Sequence, residues 1–196
     1  MSLTCTSFSR GTAIDSDSGS FASIQKTLPQ APICGIFHLA GAMDNALIAD
    51  QNWEKVQTVF APKALGAWNL HVVSQQLEKP VEWFVLFSSM GALLGGPGQT
   101  NYAAANAFCD SLAQYRSATN LPALSLQYGA WAEQGLAANP KTAQMFANYG
   151  FGYMSAEQCL LAMELLLSSK TPHPTAGVFA VDWARLTARF PWPFIT

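Results

Sequence analysis

Charge is scarce in this 196-residue chain: 11% of its residues are Asp, Glu, Lys or Arg, against roughly 25% in an average soluble domain. The net charge of −2 supplies no basic field, which excludes nucleic acid and anionic membrane as electrostatic partners. Long apolar runs are missing too. None approaches the roughly 20 residues that span a bilayer, and the opening MSLTCTSFSRGTA lacks the apolar centre of a signal peptide. Cys5, Cys34, Cys109 and Cys159 form no CxxC pair and no metal-ligand spacing. No metal is therefore expected, and reduced cysteines in a cytoplasmic protein are a plainer reading than disulfides. No GxGxxG-like string occurs, so no glycine-rich turn for a dinucleotide pyrophosphate is visible. Internal repeats, long linkers and low-complexity tracts are absent as well. What the chain has in quantity is hydrophobic residues, at 50%. With so little charge, that points to a surface partly covered by neighbouring domains.

The most informative stretch is Phe84 to Phe108, FVLFSSMGALLGGPGQTNYAAANAF. Trp83 to Phe87 is apolar, aromatic and β-branched, as a strand buried on both faces would be. Ser88-Ser89 ends the run. A loop of small residues follows, with Gly91, Gly95, Gly96, Pro97 and Gly98, which permits close approach by a ligand. Tyr102 to Tyr115 reads as a helix rich in alanine, and Tyr102 and Asn106 share one of its faces. Open α/β sheets bind ligands at the carboxyl ends of their strands. A serine, a phenol and an amide are thereby expected around one cleft.

Other elements follow the same pattern. Thr12 to Ile14 reads as a short strand, Asp15 to Ser20 as its turn and Ser20 to Leu28 as a helix. Ile33 to Leu39 is a buried strand ending in the small residues Ala40-Gly41. Trp53 to Gln76 has helical apolar spacing, with a kink or fresh start at Pro62. Lys63 falls on its apolar face, where a lysine ordinarily snorkels to water. Ala123 to Tyr128 and Gly177 to Val181 are further strands. Ser155 to Leu167 is an amphipathic helix with Ser155 as N-cap and Gln158 completing a capping box. The fold class is α/β: a Rossmann-like, doubly wound parallel sheet.

FSSMG, then GPGQTNYAAANAF, resembles the ketoreductase domain of modular polyketide synthases, a branch of the short-chain dehydrogenase/reductase superfamily. The resemblance is strongest over residues 30–138. It makes Ser89 the counterpart of the catalytic serine, Tyr102 of the tyrosine and Asn106 of the asparagine. Most short-chain dehydrogenases carry lysine at the position of Asn106. The polyketide branch takes its lysine from an earlier helix, where APKALGAWNLH presents Lys63. FHLAG is similar to the family's dinucleotide-binding AAG-type turn, which assigns Ala40 and Gly41 to the cofactor. Gly129 and Ala130 then lie beside the nicotinamide and lead into a lid over about 132–154, with Ala130 in place of the usual proline. Asp15 stands near the family's adenine-side aspartate, but the local match is poor and a turn or helix-capping aspartate is the better reading. His38 reads as a core or strand-end histidine.

The resemblance implies NADPH as cofactor and a 3-ketoacyl substrate carried on the phosphopantetheine of an acyl carrier protein. Tyr102 would give the proton, Ser89 would hydrogen-bond the carbonyl oxygen, and Lys63 would stabilise the phenolate. Asn106 would hold the lysine or a water relay. Asp44, Asn45 and Leu94 bear on stereochemistry. Met43-Asp44-Asn45 departs from the LDD motif of B-type members, and Leu94 stands where A-type members carry tryptophan. The resulting expectation is a weakened B-type bias toward the D-configured alcohol. Because the match starts near the family's third strand, residues 1–196 are expected to be one partial ketoreductase domain, truncated in its sheet. Other synthase domains or a missing N-terminal half would complete it, and the strand at 33–39 would have an exposed edge. The isolated chain is then expected to be inactive or nearly so. The alternative is a non-catalytic remnant serving as a structural or carrier-docking module. A free-standing dehydrogenase is disfavoured by Asn106.

Overall fold

The computed structural model describes residues 33–132, 140–169 and 173–189. The readings of a strand at 12–14, a helix at 20–28 and Asp15 near the adenine lie outside these residues. Four parallel strands form the main sheet: β1 (Gly35–His38), β2 (Trp83–Ser89), β3 (Leu124–Tyr128) and β6 (Thr175–Val178), in the spatial order β1-β2-β3-β6. The short β4 (Ala130–Trp131) and β5 (Tyr153–Met154) pair separately. Among the described residues β1 bonds only to β2, with Phe37 and Leu39 exposed beside that outer edge.

The helices are α1 (Trp53–Phe60), α2 (Gly66–Ser74), α3 (Met90–Leu94), α4 (Thr100–Ala118), α5 (Pro140–Tyr149), α6 (Ala156–Leu167) and α7 (Trp183–Arg189). A five-residue π-turn, Ala61–Leu65, joins α1 to α2 and contains both Pro62 and Lys63. Proline cannot donate the amide hydrogen a regular helix needs. The kink expected in the 53–76 helix therefore takes this form, and α2 closes at Ser74.

Side-chain alternation along β2 and β3 explains the layering. Phe84 and Leu86 pack with Ala67, Val81, Cys109, Leu112 and Ala113 on the face covered by α2 and α4. Val85 packs on the other face with Leu124, Leu126, Tyr128, Cys159 and Val178, under α6. Sheet and helices therefore make the expected α/β sandwich. The capping box of α6 is present, with Ser155 Oγ accepting from Gln158 N–H and the Gln158 side chain accepting from Ser155 N–H.

Several boundaries differ from those expected from the sequence, and three have a clear local reason. β2 continues through Ser88 and Ser89 because β3 offers partners there, Gln127 and Tyr128. The following loop is shorter, since Ser89 Oγ accepts from Gly91 N–H and caps the single turn α3. β6 runs Thr175–Val178 instead of Gly177–Val181: its register with β3 ends at Tyr128↔Val178. Past that point Val181 forms a bridge to Phe151.

Candidate active site

The carboxyl ends of β1 and β2 and the first turns of α4 bring the expected residues together. Lys63 enters from the π-turn, a helical irregularity that recurs at functional sites. It is 4% exposed, and its ammonium donates to Phe87 O at 2.7 Å. Burial pushes its pKa below the ordinary lysine value, opposed by Cys109 and Asp110. Gly41 lies directly against it: a Cβ on Gly41 would stand 3.1 Å from Lys63 Cε and 3.4 Å from Nζ. Ala40 and Gly41 are exposed just past the end of β1.

Ser89 and Tyr102 meet over another glycine. A Cβ built on Gly91 would lie 3.4 Å from Ser89 Oγ and 3.8 Å from the Tyr102 ring. Ser89 Oγ accepts from Gly91 N–H at 3.1 Å, which leaves its own hydroxyl hydrogen to donate elsewhere. Asn106 is fully buried and its Nδ2 donates to Tyr102 O at 2.8 Å. Its Oδ1 has no hydrogen-bond partner among the described residues. Ser88 Oγ donates to Asn106 O at 3.2 Å, fastening α4 to β2 behind the site.

The remaining candidates are placed as follows. Asp44 is occupied by Lys55, whose ammonium donates to its carboxylate at 2.6 Å, while Asn45 is exposed. Leu94 ends α3 and is half-buried. Gly129 donates its N–H to Val178 O, and a Cβ there would come within 2.7 Å of Phe179 Cβ. Packing against Phe179 thus accounts for that glycine. Ala130 is buried in β4, opposite Tyr153.

Two polar residues around the site escaped the sequence reading. Asn101 Nδ2 donates to Asp44 O at 2.9 Å and Lys55 O at 3.3 Å, while its Oδ1 accepts from Tyr102 N–H. It ties the loop at 43–46 to the start of α4. Asp110, on the Asn106 face of α4, accepts from Ser125 Oγ at 2.6 Å and Gln127 Nε2 at 2.8 Å. The available signals were Asn101's adjacency to Tyr102 and the helical spacing of Asp110 after Asn106. His38 is the buried strand-end histidine it was expected to be, and its Nε2 lies 2.9 Å from Lys63 O. That partner was not visible in the sequence.

The structure thus sets a buried lysine beside the Ala40-Gly41 turn, and Ser89 and the Tyr102 ring both against Gly91 at the end of the neighbouring strand. The sequence profile of the KR domain matches residues 12–133, and the chain belongs to that ketoreductase family. Mycoketide-CoA synthase of Mycobacterium tuberculosis is 36% identical over 179 residues, which are 89% of this chain and 4% of that protein. Polyketide synthase GfsA of Streptomyces halstedii is 37% identical over 161 residues, 82% of this chain and 2% of its own length. Among solved structures, an A-type ketoreductase from a modular polyketide synthase superposes with a TM-score of 0.82 at 33% identity, covering 89% of this chain and 36% of its own. A 4-hydroxyisoleucine dehydrogenase, solved with NADH and succinate, shares the fold at a TM-score of 0.65 and 12% identity, over 85% of this chain and 74% of its own. The chain thus spans a small fraction of the synthases it matches and about a third of the ketoreductase chain. Family and fold are those of nicotinamide-dependent reductases.

Proposed function

We propose that this chain is the catalytic portion of a polyketide synthase β-ketoacyl reductase, which reduces a carrier-bound 3-ketoacyl group to 3-hydroxyacyl with NADPH. The observation that carries this reading is Lys63, buried between Gly41 and Phe87 O on the same strand that ends in Ser89, which shares the Gly91 corner with Tyr102. An acyl carrier protein and other synthase domains are its partners, in the cytoplasm. Among the described residues no helix is long and apolar enough to cross a membrane.

The residues present fit the nicotinamide end of the cofactor. Gly41 leaves Lys63 without an intervening side chain, and Asn106 Oδ1 is a buried acceptor awaiting a donor. Lys63 and the Ala40-Gly41 backbone would hold that end, with Gly129 and Ala130 beside it. When bound, the reduced nicotinamide supplies the hydride.

The chain's own groups handle the oxygen and the proton. Ser89 donates its free hydroxyl hydrogen to the substrate carbonyl oxygen, where negative charge grows. Tyr102 OH gives that oxygen its proton as general acid. The Lys63 ammonium stabilises the phenolate left behind. Asn106 Oδ1 accepts from Lys63 or from a water that returns a proton to Tyr102.

Titration of the 196-residue chain with NADPH, followed by nucleotide fluorescence, tests the cofactor side. No glycine-rich pyrophosphate turn is present in the sequence, and a helix N-terminus normally holds those phosphates. Weak binding is expected from this chain alone, together with tight binding once the full ketoreductase unit is assembled. Absence of binding in the assembled unit would favour the alternative of a non-catalytic structural or carrier-docking module.

A further inference from the structure

We propose that His38 is a positioning residue for Lys63: from the end of β1 it holds the π-turn carbonyl of Lys63 and so fixes where the ammonium points. His38 is 5% exposed, and its Nε2 lies 2.9 Å from Lys63 O. A carbonyl oxygen only accepts, so Nε2 carries the hydrogen and the imidazole is the Nε2–H tautomer. Burial holds the ring's pKa below its usual value, and the nearby Lys63 charge acts in the same direction.

The packing around the ring shows that space is kept for it. A Cβ on Gly66, the residue following the π-turn, would stand 3.1 Å from His38 Cε1. Gly66 also donates its N–H to Ala61 O and Lys63 O, so the turn and the imidazole meet at the same carbonyl. Three residues beyond His38 the chain reaches Gly41, which borders Lys63 Cε and Nζ. The end of β1 therefore grips Lys63 twice, by its backbone through His38 and along its side chain at Gly41. Phe87 O on β2 receives the ammonium. With the His38 bond removed, Lys63 O keeps only the Gly66 N–H as donor, and the turn is free to shift and let the side chain swing out of the cleft.

The inference rests on Lys63 being the lysine of the proposed site, and it is testable without turnover. The full chain is labelled with trinitrobenzenesulfonate, and modification of each lysine is followed by peptide mass spectrometry, with exposed Lys79 as the internal reference. Lys63 in the unmodified chain should react far more slowly than Lys79. His38→Leu should raise the Lys63 rate about three- to tenfold, the worth of one hydrogen bond. His38→Gln, which keeps an N–H donor, should stay near the original rate. His71→Leu, removing another buried histidine, should leave the Lys63 rate unchanged even where it lowers the denaturation midpoint. Where His38→Leu fails to fold, Gly66→Ala displaces the ring and should raise the rate instead. An unchanged Lys63 rate in the folded His38→Leu chain, or in Gly66→Ala if that is the one that folds, would overturn the proposal. So would an equal rise in His71→Leu. Either result removes the role of His38 while leaving the ketoreductase reading intact, and loss of that reading would leave the labelling pattern as it is.

Discussion

Gly41 and Lys63 are packed so closely that a Cβ at 41 would stand 3.1 Å from Lys63 Cε, so that any side chain there must push the lysine aside. The lysine cannot retreat freely, because it is buried and bonded to Phe87 O. Gly41→Ala is therefore expected to shift the ammonium by a few tenths of an ångström. Displacements of 1 Å in such sites cost about 10²-fold, so a loss on the order of tenfold in turnover is predicted. The denaturation midpoint should change little. Kinetics of the ketoreductase unit carrying this substitution provide the check, and unchanged turnover would separate Gly41 from the site.

Stability should fall in mild acid. Burial lowers the pKa of both His38 and His71, with the Arg116 guanidinium adding to the effect at His71. Arg116 Nη1 lies 2.9 Å from His71 Nδ1, so that nitrogen must accept and the ring must be neutral. As pH drops through about 6.5, the unfolded chain takes up protons that the folded chain refuses, and unfolding becomes easier. Above that value the contribution is fully present. The urea midpoint is thus expected to be lower at pH 5.5 than at pH 7.5, with His71→Gln removing part of the difference. A midpoint independent of pH over this window would contradict the two neutral histidines.

Much of this was legible in the residues. The strand at β2, the alanine-rich helix and the Ser155 capping box each carry a strong local signal, in alternation, propensity and cap spacing. Lys63, Ser89, Tyr102 and Asn106 were singled out through the family motifs. The π-turn was not, because Pro62 marks a break without specifying its geometry. Nor were the bonds made by Asn101, Asp110 and His38, whose partners Asp44, Ser125 and Lys63 lie far off in sequence and become neighbours only through strand order. Gly129, singled out by the resemblance, also packs where a Cβ would meet Phe179, a contact the sequence did not show.

Product configuration should discriminate between related readings of the loop at 43–46. Asn101 and the Ala46 N–H to Gly98 O bond hold this loop against the start of α4, and Lys55 pins Asp44. Asn45 keeps the shape of the B-type aspartate without its charge, and Leu94 replaces the A-type tryptophan. A predominantly D-configured 3-hydroxyacyl product is predicted for the assembled unit. Two of the similar solved structures are A-type and A1-type ketoreductases, so chiral analysis of the alcohol is informative. Predominantly L-configured product would show that Asn45 and Leu94 do not set the outcome in this way.

The central claim is that Tyr102 delivers the proton to a ketone held by Ser89 and supported by Lys63. Tyr102→Phe removes one hydroxyl and keeps the ring against Gly91, so the fold should be preserved. Turnover of a carrier-bound 3-ketoacyl substrate, measured in the full ketoreductase unit containing this chain, is predicted to fall by roughly 10² or more, the scale of general acid catalysis. Turnover equal to that of the unsubstituted unit would contradict the account.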